Sequence, residues 1–580
     1  MSTLIKLNYI FNNKQKLNIL RIIILIIIGT GLELVGITAI LPFIEVTMKP
    51  ESIFEDRFLY SIYSLFKLDS SVQFLVLMGI ALVLVYIIKN AFLIFENDRI
   101  FRFTYNSQRQ LAIRLLNAYL KEPYTFFLDH NSADMVRNIK DDTDRMFDMI
   151  VSFMQLIAEI MVTIVLFAYL LYKDKTITLI VGATLVTFVV IVMRRIKGSI
   201  ETFGAKTRGA KAGSNKWLLQ TFGGIKETMI LDKRDFFSSM VDDQYKIFAV
   251  NQRRYQVMSY VPKPLMETIC ICTVLVAIIA KLLRGVSPSY FISTLSVFAI
   301  AAFRLLPAFN RITGYINRIS YGTSSLNAVY EDLKDIEELE RSNPDSEDLN
   351  IAFNKDIEIR GLFYTYPNTD TPVLNDISMI IPKNSSVAFI GASGAGKTTL
   401  ADVILGLLSP DRGSILVDGT DIKNSLRAWQ RQLGYIPQSI FLMDDTIRNN
   451  IAYGLTDEDI DEDKLIRAIE DAQLGEFIAG LENGLDTEVG ERGVRLSGGQ
   501  RQRIGIARAL YRDPEVLILD EATSALDNDT ESAIMEAVDN LSGKKTLIII
   551  AHRLSTIKNC DYVYEVTPNG IVDRSKERLS

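Results

Sequence analysis

A chain of 580 residues is too long for one hydrophobic core, so two or more domains are expected. Its mean hydropathy is +0.18 although 23% of its residues are charged, which excludes an evenly mixed soluble chain and requires nearly charge-free segments beside strongly polar ones. The net charge of −6 carries no footprint of a nucleic-acid partner, and the three cysteines set no disulfide framework.

Six apolar runs occupy the first part of the chain: 19–44, 72–95, 147–172, 177–196, 257–283 and 290–312. Each is as long as, or longer than, the ~20 residues that a helix needs to cross ~30 Å of hydrocarbon. Lys6, Lys14, Lys16 and Arg21 precede or open the first run without an opposing acid, which fixes the N-terminus in the cytosol; they also give it the look of a signal peptide, but its length and the five later spans favour a retained helix. Six spans then return the chain to the cytosol.

The two inside links, 96–146 and 197–256, are long, charged and helical in pattern. They read as membrane helices continuing into the cytoplasm, with turns at Tyr124–Asp129 and Thr221–Ile230. The outside links at 173–175 and 284–289 are short. Ser52–Leu68 reads as an amphipathic helix lying on the outer surface, with an ordinary loop helix packed on the bundle as the open alternative. Cys270 and Cys272, two apart on a helix, point about 200° away from each other and share no metal.

An acidic boundary at Glu331–Glu358, broken by Pro344, divides the chain into a transmembrane domain over 1–335, a linker over 336–355 and a second domain over 356–580. Beyond the boundary short β-rich runs alternate with helical stretches, which predicts an α/β domain with a largely parallel sheet. The fold class is therefore an α-helical six-span transmembrane domain followed by an α/β P-loop NTPase domain.

The apolar strand Val387–Ile390 leads into Gly391-Ala392-Ser393-Gly394-Ala395-Gly396-Lys397-Thr398-Thr399, followed by a helical face at Leu400, Val403, Ile404 and Leu407. This is G-x-x-x-x-G-K-[ST] in its required strand–helix context. Small residues let the backbone wrap a phosphate, and the helix N-terminus adds positive potential. Lys397 is expected to reach the β- and γ-phosphates of ATP, and the Thr398 hydroxyl to ligate Mg²⁺.

Val516–Glu521 is an apolar strand ending in two carboxylates. Neighbours at a strand end point to opposite sides, so Asp520 suits the Mg²⁺ shell and Glu521 the attacking water. His552 ends another apolar strand and is expected near the phosphate; His130 reads as a surface residue. Ser497, before Gly498-Gly499-Gln500, is an N-cap, and its glycine-rich helix start offers a second phosphate-binding surface.

Gly391–Thr398, Gln438, Leu496–Gln500, Asp520–Glu521, Ser524–Asp527 and His552, in this order and spacing, resemble the nucleotide-binding domain of ABC transporters. The resemblance covers about residues 350–570. It implies a head-to-tail homodimer in which Ser497–Gln500 of one chain closes over ATP held by the Gly391–Thr398 loop of the other. It further implies that Gln438 senses γ-phosphate and Mg²⁺, that Asp527 crosses the dimer interface, and that Tyr366 stacks on adenine, with a packing tyrosine as the alternative. The six spans ahead look like an exporter half-transporter, with the two inside turns carrying motion between domains. They exclude a non-transport ABC ATPase.

Four basic residues inside the spans, Lys89, Lys263, Arg304 and Arg311, fall at comparable depth, and a homodimer doubles them into a ring suited to a pyrophosphate headgroup. The alternative is snorkelling at the cytosolic interface. Phe303–Arg311, the outer amphipathic helix and Val261-Pro262-Lys263 look like the PglK-type flippases of lipid-linked oligosaccharides. That likeness implies a polyprenyl-pyrophosphate cargo in a bacterial cytoplasmic membrane, with an exporter of drugs or other lipids as the alternative. Two of the four basic positions are Lys where that family more usually has Arg, so bidentate phosphate contact is lost there. Glu33, Glu159 and Glu267 also lie in spans, without an assigned role.

Overall fold

The computed structural model describes residues 3–66, 70–173, 175–283, 288–342, 351–367, 369–520, 535–536, 538–551 and 557–575, with backbone alone over 288–305. The chain divides into two compact units, one of residues 1–122 and 130–341, the other of 123–129 and 342–580.

Among its described residues the first unit is built of helices and the turns between them. It comprises α1 (Thr3–Ile10), α2 (Asn13–Thr38), α3 (Ile40–Met48), α4 (Ser52–Glu55), α5 (Arg57–Leu65) and α6 (Ser71–Lys121). After α7 (Tyr124–Asp129), which belongs to the other unit, come α8 (Ser132–Arg137) and a π-helical turn at Asn138–Asp142. The unit ends with α9 (Thr143–Lys173), α10 (Lys175–Gly223), α11 (Ile225–Ile230), α12 (Arg234–Tyr260), α13 (Pro262–Leu283) and α14 (Pro288–Ser342).

The starts follow the sequence. Asn12 and Gln15 form a reciprocal capping box at α2, with contacts of 2.8 and 3.0 Å, and Ser70 caps α6. Among the described residues, four helices are long and apolar enough to cross a membrane: 13–36, 71–121, 132–168 and 178–223. Only 6% of the apolar window of 71–121 is buried within the chain, so its apolar face is turned outward, as lipid requires. The fifth expected span, 257–283, begins in the last turn of α12 and continues through α13, and the sixth, 290–312, lies within α14.

Glycines on α2 seat charged side chains of α6. A Cβ on Gly29 would lie 2.0 Å from Glu96 Oε2, and one on Gly36 3.2 Å from Lys89 Cδ. The two pairs step two turns forward on α2 and two turns back on α6, which is the register of antiparallel neighbours. The region read as an outer amphipathic helix forms α4 and α5, packed through Ile53 and Leu59 against Val46 and Phe74, while Phe54, Tyr60 and Leu65 stay exposed.

Among its described residues the second unit holds two sheets. Its strands are β1 (Asp356–Tyr364), β2 (Leu374–Pro382), β3 (Ser386–Ile390), β4 (Arg412–Val417), β5 (Thr420–Asp421), β6 (Leu433–Ile436), β7 (Val516–Asp520), β8 (Thr546–Ile550), β9 (Tyr562–Thr567) and β10 (Gly570–Asp573). The helices are α15 (Lys397–Ile404), α16 (Leu426–Gln430), α17 (Ile447–Ile451), α18 (Glu462–Asp471), α19 (Gly475–Ala479) and α20 (Gly498–Leu510).

One sheet has the order β10-β9-β3-β8-β7-β6, parallel except for β10; the other, β2-β1-β4-β5, is antiparallel. The expectation of a largely parallel sheet describes the first and lacks the second. In the parallel sheet alternate residues bury into opposite cores. Val387, Phe389, Val516, Ile518, Ile548 and Ile550 face the antiparallel sheet and α15, while Leu517, Leu519, Leu547 and Ile549 face α17, α18 and α20.

Trp429 anchors the first of these cores. It is fully buried, its indole N–H donates to the Ile404 carbonyl at 2.7 Å, and Phe353 meets its ring edge-on. Trp429→Ala is expected to destabilise this unit by about 3–5 kcal/mol through the cavity it leaves. Thermal melting of the full-length chain in detergent checks this, and Trp429→Phe should recover most of the loss.

Candidate functional site

The C-terminal ends of β3, β8, β7 and β6 lie side by side, because Phe389 pairs with Ile550, Asp520 with Ile550 and Ile436 with Leu519. In a parallel sheet that edge is where ligands bind. The described candidates that follow these strands therefore emerge at one place. Gly391 follows β3, Asp520 ends β7, and Gln438 stands just beyond β6, exposed.

The Gly391–Thr398 loop joins β3 to α15 in a shape that demands glycine. Gly391 has φ +141°, and a Cβ there would lie 2.4 Å from the Val566 carbonyl oxygen. Gly396, at φ +97°, is the N-cap of α15. Ser393, Gly394 and Thr398 are exposed on the loop, while Ala395, Gly396, Lys397 and Thr399 are buried beneath it. Lys397 Nζ donates to the carbonyls of Gly391 (2.9 Å) and Ala392 (3.0 Å), so the ammonium is folded into the loop it serves.

Across the loop the Thr398 hydroxyl donates to Asp520 Oδ1 at 3.4 Å, and Asp520 is buried. Asp402 on α15 adds a second acid: burial, and then the Asp520 charge, pushes its carboxyl up to about 6. A hydroxyl, a buried carboxylate and the nearby Gln438 amide are hard oxygen donors of the kind Mg²⁺ takes when phosphate oxygens and water complete its shell. Excess negative charge at Asp520 and Asp402 favours a cation there. The residues thus fit Mg²⁺, held by Thr398, Asp520 and Gln438, which would neutralise charge on the phosphates.

Tyr366 lies half-buried, its hydroxyl 3.1 Å from Thr399 Oγ1 and its ring edge-on to Tyr364. That sets an aromatic face beside the start of α15. Ser497 caps α20 with a reciprocal box to Gln500, at 3.2 and 2.8 Å, and Ser497 and Gly498 are exposed while Gly499 is buried. Glu521, Asp527 and His552 lie outside the described residues; Glu521 directly follows β7, and His552 follows Ile550 of β8 by two positions.

Two groups escaped the sequence reading. Asp402 belongs to none of the motifs singled out above. Tyr124, in the first inside tip, belongs to this unit, where burial and then Asp402 and Tyr366 raise its hydroxyl. Its aromatic-rich turn was the available signal.

The four basic residues of the first unit do not share one environment. Lys89 is buried against α2, its ammonium 4.7 Å from the Tyr86 ring centre. Lys263 is exposed near the start of α13. Arg311 on α14 is gripped bidentately by Glu159 of α9, at 2.8 Å from Nε and 2.7 Å from Nη2, with 46% of its side chain still exposed. The Arg304 side chain lies outside the described residues. Cys270, Cys272 and Cys560 are free thiols.

A family model described as "ABC transporter" matches residues 374–524, from β2 to just beyond β7. The chain is 31% identical over 482 residues to an "ATP-dependent lipid A-core flippase" of Vibrio vulnificus, covering 81% of this chain and 80% of that one. It is likewise 31% identical over 465 residues to the protein of the same name from Escherichia coli, covering 80% and 78%. A solved structure titled "Structure of a bacterial Atm1-family ABC exporter with ATP bound" superposes with a TM-score of 0.73 over 97% of this chain and 95% of the other, at 21% identity, a likeness of fold. A complete nucleotide loop in the second unit, membrane-length helices in the first and relatives matched over 80% and 78% of their own length lead to a single conclusion: this chain belongs to the ABC transporter family, as an exporter that couples ATP hydrolysis to transport.

Proposed function

We propose that the protein is a homodimeric flippase of an anionic, lipid-linked saccharide in the bacterial cytoplasmic membrane, with its N-terminus and ATPase domain cytosolic. Its specific cargo is a polyprenyl-pyrophosphate-linked oligosaccharide. The observation that carries this reading is the Arg311–Glu159 pair. A guanidinium fixed on two of its nitrogens and still half exposed, on a membrane helix, is oriented for a ligand rather than left to snorkel.

Support for the general class comes from the lipid A-core flippases named above, since lipid A-core too is named as a lipid. A second copy of the chain is supported by the exposed Ser497 and Gly498. It is supported equally by the exposed Leu219, Phe222, Met229, Ile230 and Leu231 around the second inside tip, an apolar surface that water does not favour.

The test reconstitutes the full-length chain in vesicles and follows ATP-dependent movement of labelled polyprenyl-pyrophosphate saccharide, labelled lipid A-core and a labelled neutral lipid. Movement of the first is expected, falling by about tenfold in Arg304→Ala and Arg311→Ala, the loss of one charge-assisted contact. Movement of lipid A-core alone would replace the polyprenyl reading with that of the relatives. Equal transport of the neutral lipid, indifferent to both substitutions, would leave an exporter of drugs or other lipids.

A further inference from the structure

The first inside link leaves the membrane unit at Glu122 and returns to it at His130, and the segment between, Pro123–Asp129, belongs to the ATPase unit. The chain reaches that segment through the end of α6 and leaves it through α8 and the π-helical turn. Those two arms are fastened to each other by buried side chains.

Tyr119 on α6 donates its hydroxyl to Asp332 of α14 at 2.6 Å. Asn138, at the start of the π turn, donates to the Tyr119 hydroxyl at 3.2 Å and to the Asp332 carboxylate. At the other end of the π turn Asp142 has no exposed surface. Its carboxylate accepts from Arg137 Nε at 3.3 Å, from Arg208 Nε of α10 at 2.9 Å and from the Ser325 hydroxyl of α14 at 2.7 Å. Arg137 and Arg208 also both reach Asn138 Oδ1, at 3.1 and 3.3 Å.

A buried carboxylate held by two guanidinium groups adds little stability over an apolar filling, because desolvation offsets the attraction. What it adds is geometry: shifting any of these helices alone strands a buried charge. The π turn points the same way, since such single-turn insertions are frequent at functional sites.

We propose that Asp142 is a positioning residue for the coupling of ATP turnover to transport. It locks both arms of the Pro123–Asp129 segment to α10 and α14, so that displacement of that segment moves these helices instead of bending the link. The proposal rests on ATP-driven transport by a pair of chains.

The test uses the full-length chain in nanodiscs, with its three cysteines replaced and a spin label at Val72→Cys, an exposed position at the start of α6. Distances between the two copies are measured by pulsed EPR, before and after trapping with ATP and vanadate. Asp142→Asn keeps the shape and the Ser325 contact but removes the charge that both arginines face. ATP turnover and its KM are expected to stay within about twofold of the parent, while the trapped shift of the label distance disappears. Ser325→Ala, which leaves both arginine contacts, should keep a reduced shift.

A purely structural role predicts otherwise: turnover, shift and melting temperature fall together. That result, or a full shift in Asp142→Asn, overturns the proposal. If Asp142→Asn does not fold, Arg208→Gln carries the same expectation. An unresponsive parent overturns the transport reading and this proposal with it, whereas a responsive parent isolates Asp142.

Discussion

Lys397→Ala is expected to lower ATP turnover by about a thousandfold, the scale seen when a preorganised charge is removed from a developing anion. The reason lies in where the ammonium sits. Lys397 is 5% exposed, and its Nζ is held by two carbonyl oxygens of the loop that wraps the phosphates. It is therefore preorganised, losing little entropy when phosphate oxygens arrive. Alanine removes the positive charge and strands the Gly391 and Ala392 carbonyls, yet it is the best helix former at the first position of α15. The fold should survive while the function goes. Arginine should not rescue, because a planar fork does not fit a point-charge seat inside a tight loop. Phosphate release and binding of a fluorescent ATP analogue provide the measurements. Normal turnover by the alanine variant, with an unchanged melting temperature, would show that the loop grips something other than a triphosphate.

The loop was legible because its signal is local. A strand of four apolar residues, glycines where φ is positive and a helix start all lie within about a dozen positions of one another. Asp520 was legible for the same reason, as the end of a strand buried on both faces. The antiparallel sheet was not. Its strands β1, β2 and β4 are brought together by register across distant positions, with irregularities between Ile359 and Leu362 and between Arg360 and Phe363. The ion pair of Arg311 with Glu159 joins two separate apolar runs, and no spacing rule reaches that far. Gly29 and Gly36 look like any glycines in a membrane helix until Glu96 and Lys89 are found resting on them. Local chemistry was read from sequence; pairing between helices needed the fold.

Such pairing changes how charge in the membrane unit is understood. Counting bases alone suggests a uniformly cationic ring, but Glu159 answers Arg311, and Lys89 is buried beside an aromatic ring. Neutralising a guanidinium lowers the cost of keeping it in a low-dielectric bundle, and fixing its plane restricts which anion geometry it accepts. Glu159→Gln should therefore weaken cargo specificity more than it weakens ATP turnover, which belongs to the other unit.

Within that other unit, binding and bond cleavage are separable, and Glu521→Gln is expected to separate them. Asp520 engages the Thr398 hydroxyl at 3.4 Å, and successive side chains at a strand end leave in opposite directions. That alternation assigns to its neighbour Glu521 the separate role of taking a proton from water attacking the terminal phosphate. The glutamine amide keeps the size of the carboxylate but accepts no proton, so hydrolysis should fall by about 10²–10⁴-fold, the usual contribution of a positioned base. ATP affinity should hold, because the loop, Lys397 and Tyr366 are untouched. Bound ATP should then persist and hold two chains together, visible as ATP-dependent cross-linking between Ser497→Cys in one copy and Ser393→Cys in the other. Lys397→Ala fails at the earlier stage and should give no such cross-link. If Glu521→Gln instead hydrolyses at the parent rate, another group must activate the water, and the division of labour between the paired acids at the end of β7 would have to be redrawn around Asp520 and Gln438.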